Sequence, residues 1–499
     1  VVFYRESGIT KSDKQAIKSL RGDLATIDGV IDDGVGKRID SEDGTAAQVV
    51  VQLGSTDGEV LQAAVKKIRA ALASAPDGLT VKVGGFGGVL GDFITAFGAI
   101  DGVLLGVTVL VVLVILLIVY RSPILPLLVI FSSLLALAMA AAAAYAFAKQ
   151  GVLDVSGQTQ GILFILAIGA ATDYSLLVVS RFREELRDRE SKYDAMKAAY
   201  AGSFEPILAS GLTVILGLLC LLLSDLSSLS GLGPVGALGV GAAMIAALTL
   251  LPALLLLFGR WAFWPFRPKF GSEHTDTKGL WGALARLVGR HARIVWVLTF
   301  IGLLVAAINV RNLNEEQVPQ TDLFLAKVES VEAQDLLEKH FTADESSPVQ
   351  IVVPDQYAYQ IAEQVAKVKG IAKSDDPKKP AVFWIPESMK NPFVPKAIDG
   401  QSVLFATLTD PADSQAADET IKRLRTELKS GDDVLVGGST AIQLDIRDTT
   451  NRDRAKVIPA ILLVIFIVLA LLLRSIVAPV LLLVANVLSF GATLGVSAF

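Results

Sequence analysis

Apolar residues gather into eight long runs, at roughly 100–119, 123–147, 158–180, 204–224, 232–258, 294–311, 457–473 and 477–499. At about 1.5 Å per residue each is long enough, as a helix, to cross a hydrocarbon layer roughly 30 Å thick. The polar stretches 1–99 and 312–455 are patterned differently. In the first, strand-like segments 1–6, 29–38, 47–53 and 79–84 alternate with helical segments 10–26 and 57–75. In the second helix Val60, Leu61, Ala64, Val65, Ile68 and Leu72 recur at helical spacing, and Gly78 closes it. That order, βαββαβ, predicts a split βαβ sandwich.

Composition agrees with many spans. A hydrophobic fraction of 52% with 19% charged residues and a mean hydropathy of +0.55 exceed what a water-soluble chain of this length carries. Six crossings separate the two polar stretches, so both are expected on one side. Basic residues crowd two loops of the other parity: Arg181, Arg183, Arg187, Arg189, Lys192 and Lys197 in 181–203, and Arg260, Arg267, Lys269, Lys278, Arg286, Arg290 and Arg293 in 259–293. The intervening short loops hold Lys149 and, around 225–231, no basic residue. The positive-inside rule therefore predicts that both soluble domains of a multi-pass membrane protein are extracytoplasmic.

The expected organisation is a first outside domain at 1–99, spans over 100–258, a cytoplasmic loop at 259–293, a span at 294–311, a second outside domain at 312–455 and two spans over 457–499. An internal repeat relates the halves. Val83-Gly84-Gly85 recurs as Val436-Gly437-Gly438, Asp92 as Asp445, Arg121-Ser122 as Arg474-Ser475 and Pro126 as Pro479, all at one offset of 353 residues. Strand 47–53 maps onto 401–408 and helix 57–75 onto 414–430, which predicts a second βαββαβ domain and a parallel repeat about an axis along the membrane normal. By the same offset the span 294–311 has its counterpart before Val1 and the run 158–180 has its counterpart beyond Phe499. The opening Val1-Val2-Phe3-Tyr4 reads as mid-domain strand, and the expectation is a longer parent chain with a further first helix and three further last ones.

Run 158–180 carries the candidate chemistry. Asp173 lies about 22 Å along the helix from Gln158 and about 10 Å from Ser180, inside the apolar stretch. A carboxylate at that depth costs about 2.5 to 3.5 kcal/mol, and such a group is kept where it faces a partner or a water path. On a helix Tyr174 is rotated about 100° from Asp173, so the two side chains meet different neighbours. Ala167, Gly169, Ala170 and Ala171 offer a small surface for close helix approach. The bland alternative is an acid that merely hydrogen-bonds across a helix interface. Ser210 and Thr213 either line a water path to this site or bond back to their own helix carbonyls.

Gly169-Ala-Ala-Thr-Asp173-Tyr174 resembles the G-x-x-x-D-Y signature of the fourth helix in the MMPL transporters (mycobacterial membrane protein large), part of the resistance-nodulation-division superfamily. Pro206-Ile-Leu-Ala-Ser-Gly-Leu-Thr213, Leu232-Gly-Pro-Val-Gly-Ala-Leu-Gly-Val240 and Leu250-Leu-Pro-Ala-Leu-Leu255 are similar to the following helices of that family. The resemblance implies an α-helical, multi-pass protein of a bacterial cytoplasmic (inner) membrane with two extracytoplasmic α+β porter domains. It further implies proton-driven export of lipids or other hydrophobic molecules, with Asp173 and Tyr174 as half of a proton relay. Expected partners are such a substrate, protons and membrane lipids, with no nucleic acid; a monomer and a homotrimer are both open.

Alternatives are a multidrug-efflux or translocation pump of the same superfamily and a non-transporting, sterol-sensing-type receptor or scaffold. An enzyme is not expected. No nucleophile with an acid–base pair stands out, and no P-loop points to ATP. His274, His291 and His340 lack ligand spacing and Cys220 is the single cysteine, so neither metal nor cofactor is expected.

Overall fold

A computed structural model describes residues 1–41, 43–55, 58–153, 155, 157–272, 280–312, 328–341, 348–373, 381–384, 386–388, 391–395, 397–410, 414–428 and 434–498. Residues 313–327, at the start of the second expected outside domain, and loop residues 273–279, His274 among them, lie outside these. In chain order the first elements are β1 (Val2–Tyr4), α1 (Lys11–Leu24), β2 (Val30–Val35), β3 (Ile39–Asp40), β4 (Ala46–Gln48), β5 (Val51–Leu53), α2 (Gly58–Leu72) and β6 (Thr80–Lys82). Long helices follow: α3 (Gly85–Tyr120), α4 (Ile124–Lys149), α5 (Gly157–Asp188), α6 (Lys192–Leu219), α7 (Ser227–Leu248), α8 (Leu250–Phe258), α9 (Leu280–Arg290) and α10 (Ala292–Ile308). Then come α11 (Glu329–His340), β7 (Val349–Pro354), α12 (Ala358–Val365), β8 (Val382–Trp384), β9 (Pro386–Ser388), β10 (Asn391–Pro395), β11 (Gln401–Ala406), α13 (Gln415–Glu427), β12 (Leu435–Gly437), α14 (Ser439–Leu473) and α15 (Val477–Ser497). Two compact units result, one of Val1–Phe97 with Glu316–Asp448 and one of Gly98–Glu315 with Thr449–Phe499.

The first unit holds two antiparallel four-stranded sheets, ordered β3-β4-β1-β6 and β12-β7-β11-β8. Read from opposite edges, the two orders place their strands equivalently. Phe3 pairs with Ala47 and Val81 as Ile351 pairs with Leu404 and Val436, and each trio sits in the buried layer beneath its own helices. The strands expected at 29–38 and 47–53 are each broken in two. Val49 turns its amide to Val1, and β2 and β5 peel away into a separate ribbon with a register shift between Val30 and Val35. Gly34 and Gly36 allow the crossing, since an added Cβ would lie 2.7 Å from the Ile31 carbonyl and 3.3 Å from that of Val50.

α11 belongs by sequence to the second half yet covers the outer face of the first sheet. Leu337 and Phe341 are buried with Val2 and Ala46. At the start of α11 the Ser330 amide donates to Asp92 Oδ2 at 3.0 Å, Arg69 Nη1 donates to Asp92 Oδ1 at 2.6 Å, and the Val83 amide donates to Glu329 at 2.9 Å. At its end the His340 ring lies 5.0 Å from that of Tyr4, with Nδ1 2.7 Å from Asp43. Gly84 permits the approach, because a Cβ there would stand 2.7 Å from that of Ala333. The next residue, Gly85, has φ +71°, and its sequence counterpart Gly438 has φ +100°, so both glycines serve a left-handed turn into a long helix. On the second sheet Leu435, on the matching face, is 63% exposed, and Arg425 grips Asp445 at 2.8 Å as Arg69 grips Asp92.

The second unit is helical. Seven helices among the described residues are long and apolar enough to cross a membrane, and Leu105–Tyr120 of α3 is a shorter apolar one. The run expected as one span at 232–258 lies within one apolar helical stretch, Ser227–Phe263, broken only at Thr249 between α7 and α8. Pro252 has no amide to continue the ladder. The charged stretch Phe182–Tyr200 forms the tail of α5 and the head of α6, parted at 189–191.

Burial alone would raise the Asp92 carboxyl, but the hydrogen bonds from Arg69 and Ser330 and the Arg69 charge hold it below the usual carboxylate range. A depressed carboxylate contributes stability above its unfolded value of about 4 and loses it as pH falls through the folded one. Asp92→Ala is expected to lower the protection of 329–341 in hydrogen exchange by about 3 kcal/mol at pH 7, and the difference is expected to shrink in increasing acid below pH ~4.

Candidate functional site

α5, α6 and α7 close on one another through glycine. Along α7, Gly233, Gly236 and Gly239 share one stripe. An added Cβ would lie 2.5 Å from the Leu218 carbonyl oxygen at the first, 3.1 Å from Leu218 Cδ1 at the second and 2.7 Å from Leu163 Cδ1 at the third. Lipid offers helices no hydrophobic force toward each other, so approach this close is what allows dispersion contacts to hold them.

The packing sorts α5 into two faces. Leu163, Ala167, Ile168, Ala171, Tyr174, Ser175, Val178 and Val179 are buried, whereas Ile162, Ile165, Asp173, Leu176, Leu177 and Ser180 are exposed. Asp173 therefore stands on the open face of α5, not within the bundle of α4 to α7. Gly169 is one turn before it on the same stripe, with nothing within 4 Å of an added Cβ, and Ala170 is part-buried. Of the small residues expected to admit close helix approach, Ala167 lies against α7, 3.6 Å from where a Cβ of Gly239 would be, whereas Gly169 has no such contact.

Tyr174 turns inward and is 4% exposed. Its hydroxyl reaches Ser210 on α6 and lies 3.3 Å from where a Cβ of Gly211 would be, beside Met244 of α7. Asp173 and Tyr174 thus diverge by helical geometry, one to the open stripe and one to the seam between three helices. Ser210 is exposed. Thr213 bonds back to the Ala209 carbonyl at 2.7 Å, as Thr172 does to Ile168 at 2.8 Å. Gly211 and Met244, which shape the Tyr174 pocket, carry no signal in the sequence beyond being small and apolar.

A second acid is buried where α14 meets the turn before α7. Asp453, 2% exposed, accepts from the Ser224 hydroxyl and from the Asp225 amide at 3.0 Å, while Lys456 pairs with Asp225 at 3.0 Å. Asp225 is exposed at its span end and lends its amide and its carboxylate to this tie. Among the described residues no cluster of His, Cys, Asp and Glu is arranged to hold a metal ion.

Long apolar helices packed through glycine, one of them bearing an internal acid, define a multi-pass membrane protein. A family model described as MMPL family matches residues 8–295 and 322–499, and the chain belongs to the MMPL family. It is 41% identical over 503 residues to the putative membrane protein ActII-3 of Streptomyces coelicolor, covering 100% of this chain and 68% of that protein. It is 30% identical over 536 residues to the apo-petrobactin exporter of Bacillus anthracis, covering 99% and 71%. It is 32% identical over 214 residues to the siderophore exporter MmpL5 of Mycobacterium tuberculosis, covering 42% and 21%.

Gly233→Ala drives its methyl into helix backbone and is expected to cost about 1–3 kcal/mol. Gly106→Ala, which meets nothing within 4 Å, is expected to be neutral or slightly stabilising. Thermal unfolding of the detergent-purified variants checks the contrast.

Proposed function

We propose that this protein exports a hydrophobic or amphiphilic small molecule, a lipid or a siderophore-like compound, using the proton-motive force, and that Asp173 and Tyr174 form half of its proton relay. The observation that carries the reading is a carboxylate in the middle of an apolar helix, standing on a stripe with a glycine notch one turn away. A neutral carboxyl tolerates such a place and an ionised one requires a partner or water, so a rearrangement that changes its surroundings loads or releases a proton. Each charge moved across the membrane is worth about 2.3 kcal/mol per 100 mV, enough for a few protons to bias a motion between helix sets.

The open stripe is the seat, in this reading, of a partner helix that bears the other half of the relay. Each acid would then meet the other helix, with Tyr174 and Ser210 extending the hydrogen-bonded path sideways. The two α+β halves act as extracytoplasmic porter domains of a parallel repeat. Their equivalent strand orders and the basic loops 181–203 and 259–293 support that placement. Exporter relatives for petrobactin and siderophores support outward transport of an amphiphile.

Asp173→Asn, at unchanged expression and membrane insertion, is expected to abolish export driven by an imposed pH gradient, while Tyr174→Phe lowers it by about 10- to 100-fold. The assay follows a labelled amphiphile in reconstituted vesicles with and without a protonophore. Full, protonophore-sensitive export by Asp173→Asn would remove the relay, and full export that ignores the protonophore would remove the energy source as well.

A further inference from the structure

The start of α7 takes its anchor from a helix distant in sequence. Its cap residue is Leu226, whose side chain can accept nothing from the first amides of the helix. Ser224 and Asp453 supply the acceptors instead. The Leu226 amide donates to the Ser224 hydroxyl oxygen at 3.1 Å, that hydroxyl donates to Asp453 Oδ2, and the Asp225 amide donates to the same oxygen at 3.0 Å. A carboxylate of α14 thus stands at the amino end of α7, where negative charge is favoured. The Lys456–Asp225 pair beside it is exposed on both sides and adds little alone.

Three features make this tie breakable. Asp453 Oδ1 is enclosed by protein and meets no donor among the described residues. Asp92, by contrast, engages both of its oxygens, so the burial of Asp453 is offset only in part by its bonds. Pro459 lies inside α14, six residues past Asp453; it has no amide to bond the Ala455 carbonyl, which gives the helix a place to bend. Beyond the tie, α14 meets α6 at Gly217, where an added Cβ would lie 4.0 Å from Ile461 Cγ2, while Leu463, Ile467 and Leu471 are exposed.

We propose that Asp453, Ser224 and Asp225 form a latch that opens and recloses in each turn of the export cycle put forward above, on which this rests, and that Asp453 is the positioning residue through which α14 governs the start of α7. α14 follows β12 directly in the chain, and α7 carries both the glycine stripe and the Met244 wall of the Tyr174 pocket. With the latch closed, bending at Pro459 shifts the amino end of α7; with it open, the two helices move independently.

The test is a cross-link across the latch. With Cys220, the single native cysteine, replaced by serine, Ser224→Cys and Asp453→Cys are introduced together into the full-length protein and bridged in reconstituted vesicles by a short bifunctional methanethiosulfonate. Bridging is expected to lower export of a labelled amphiphile by about tenfold or more, and reductant to restore it. Unchanged export by the bridged protein would overturn the latch and leave the export reading standing. If the Cys220→Ser protein itself exports nothing, the export reading falls, and the latch is decided by the Ser224→Cys thiol: a faster reaction with a membrane-impermeant maleimide under an imposed pH gradient supports opening, and an unchanged rate overturns it. Should the paired variant not fold, Asp453→Asn and Asp453→Glu decide. A positioning role lowers kcat in Asp453→Asn at unchanged KM, with Asp453→Glu restoring it, whereas equal kcat in both variants and the wild type overturns it.

Discussion

How closely helix backbones can approach governs the membrane unit. In an apolar solvent side chains gain nothing by leaving lipid for protein unless contacts become denser. The stripe of Gly233, Gly236 and Gly239 supplies that density by letting α7 settle against Leu163 and Leu218. With α7 in place, Tyr174 must lie in the seam beside Gly211 and Met244. Asp173, one residue earlier, then has no position except the opposite, open face. The orientation of the acid thus follows from packing several turns away from it.

In the α+β unit the ordering agent is electrostatic. Asp92 holds Arg69 with one oxygen and the first turn of α11 with the other, so a single buried carboxylate joins three segments distant in sequence. Burial sharpens this interaction and makes loss of any member costly. The equivalent Arg425–Asp445 pair shows the same grip with a more exposed carboxylate.

Much of this was legible from residue pattern. Run length located the long apolar helices, and four landmarks of the 353-residue offset are positions with backbone demands: Gly85 and Gly438 in left-handed turns, and Arg121 and Arg474 at φ +53° and +48°. Periodicity does not reveal what a helix packs against, which is why the crossing of α11 onto the first sheet was not foreseen. Nor does it tell where a strand bends, so 29–38 and 47–53 read as single strands. The charge of Asp173 was evident in one dimension, but the direction it faces depends on which side of α5 the glycines of α7 choose. Asp453 and Ser224 are more than 200 residues apart, and no local signal links them.

The crossing of α11 bears on how the chain is made. β6 ends at Lys82, but the helix that closes the outer face of its sheet begins at Glu329. Roughly 250 residues separate the two, which at about 5 to 20 residues per second of synthesis is roughly 12 to 50 s. During that interval Val2, Tyr4 and Ala46 remain uncovered while several membrane helices are still being threaded. The nascent sheet is then a client for whatever chaperones wait where it emerges, and its maturation is timed by the translation of a segment encoded in the other half of the message.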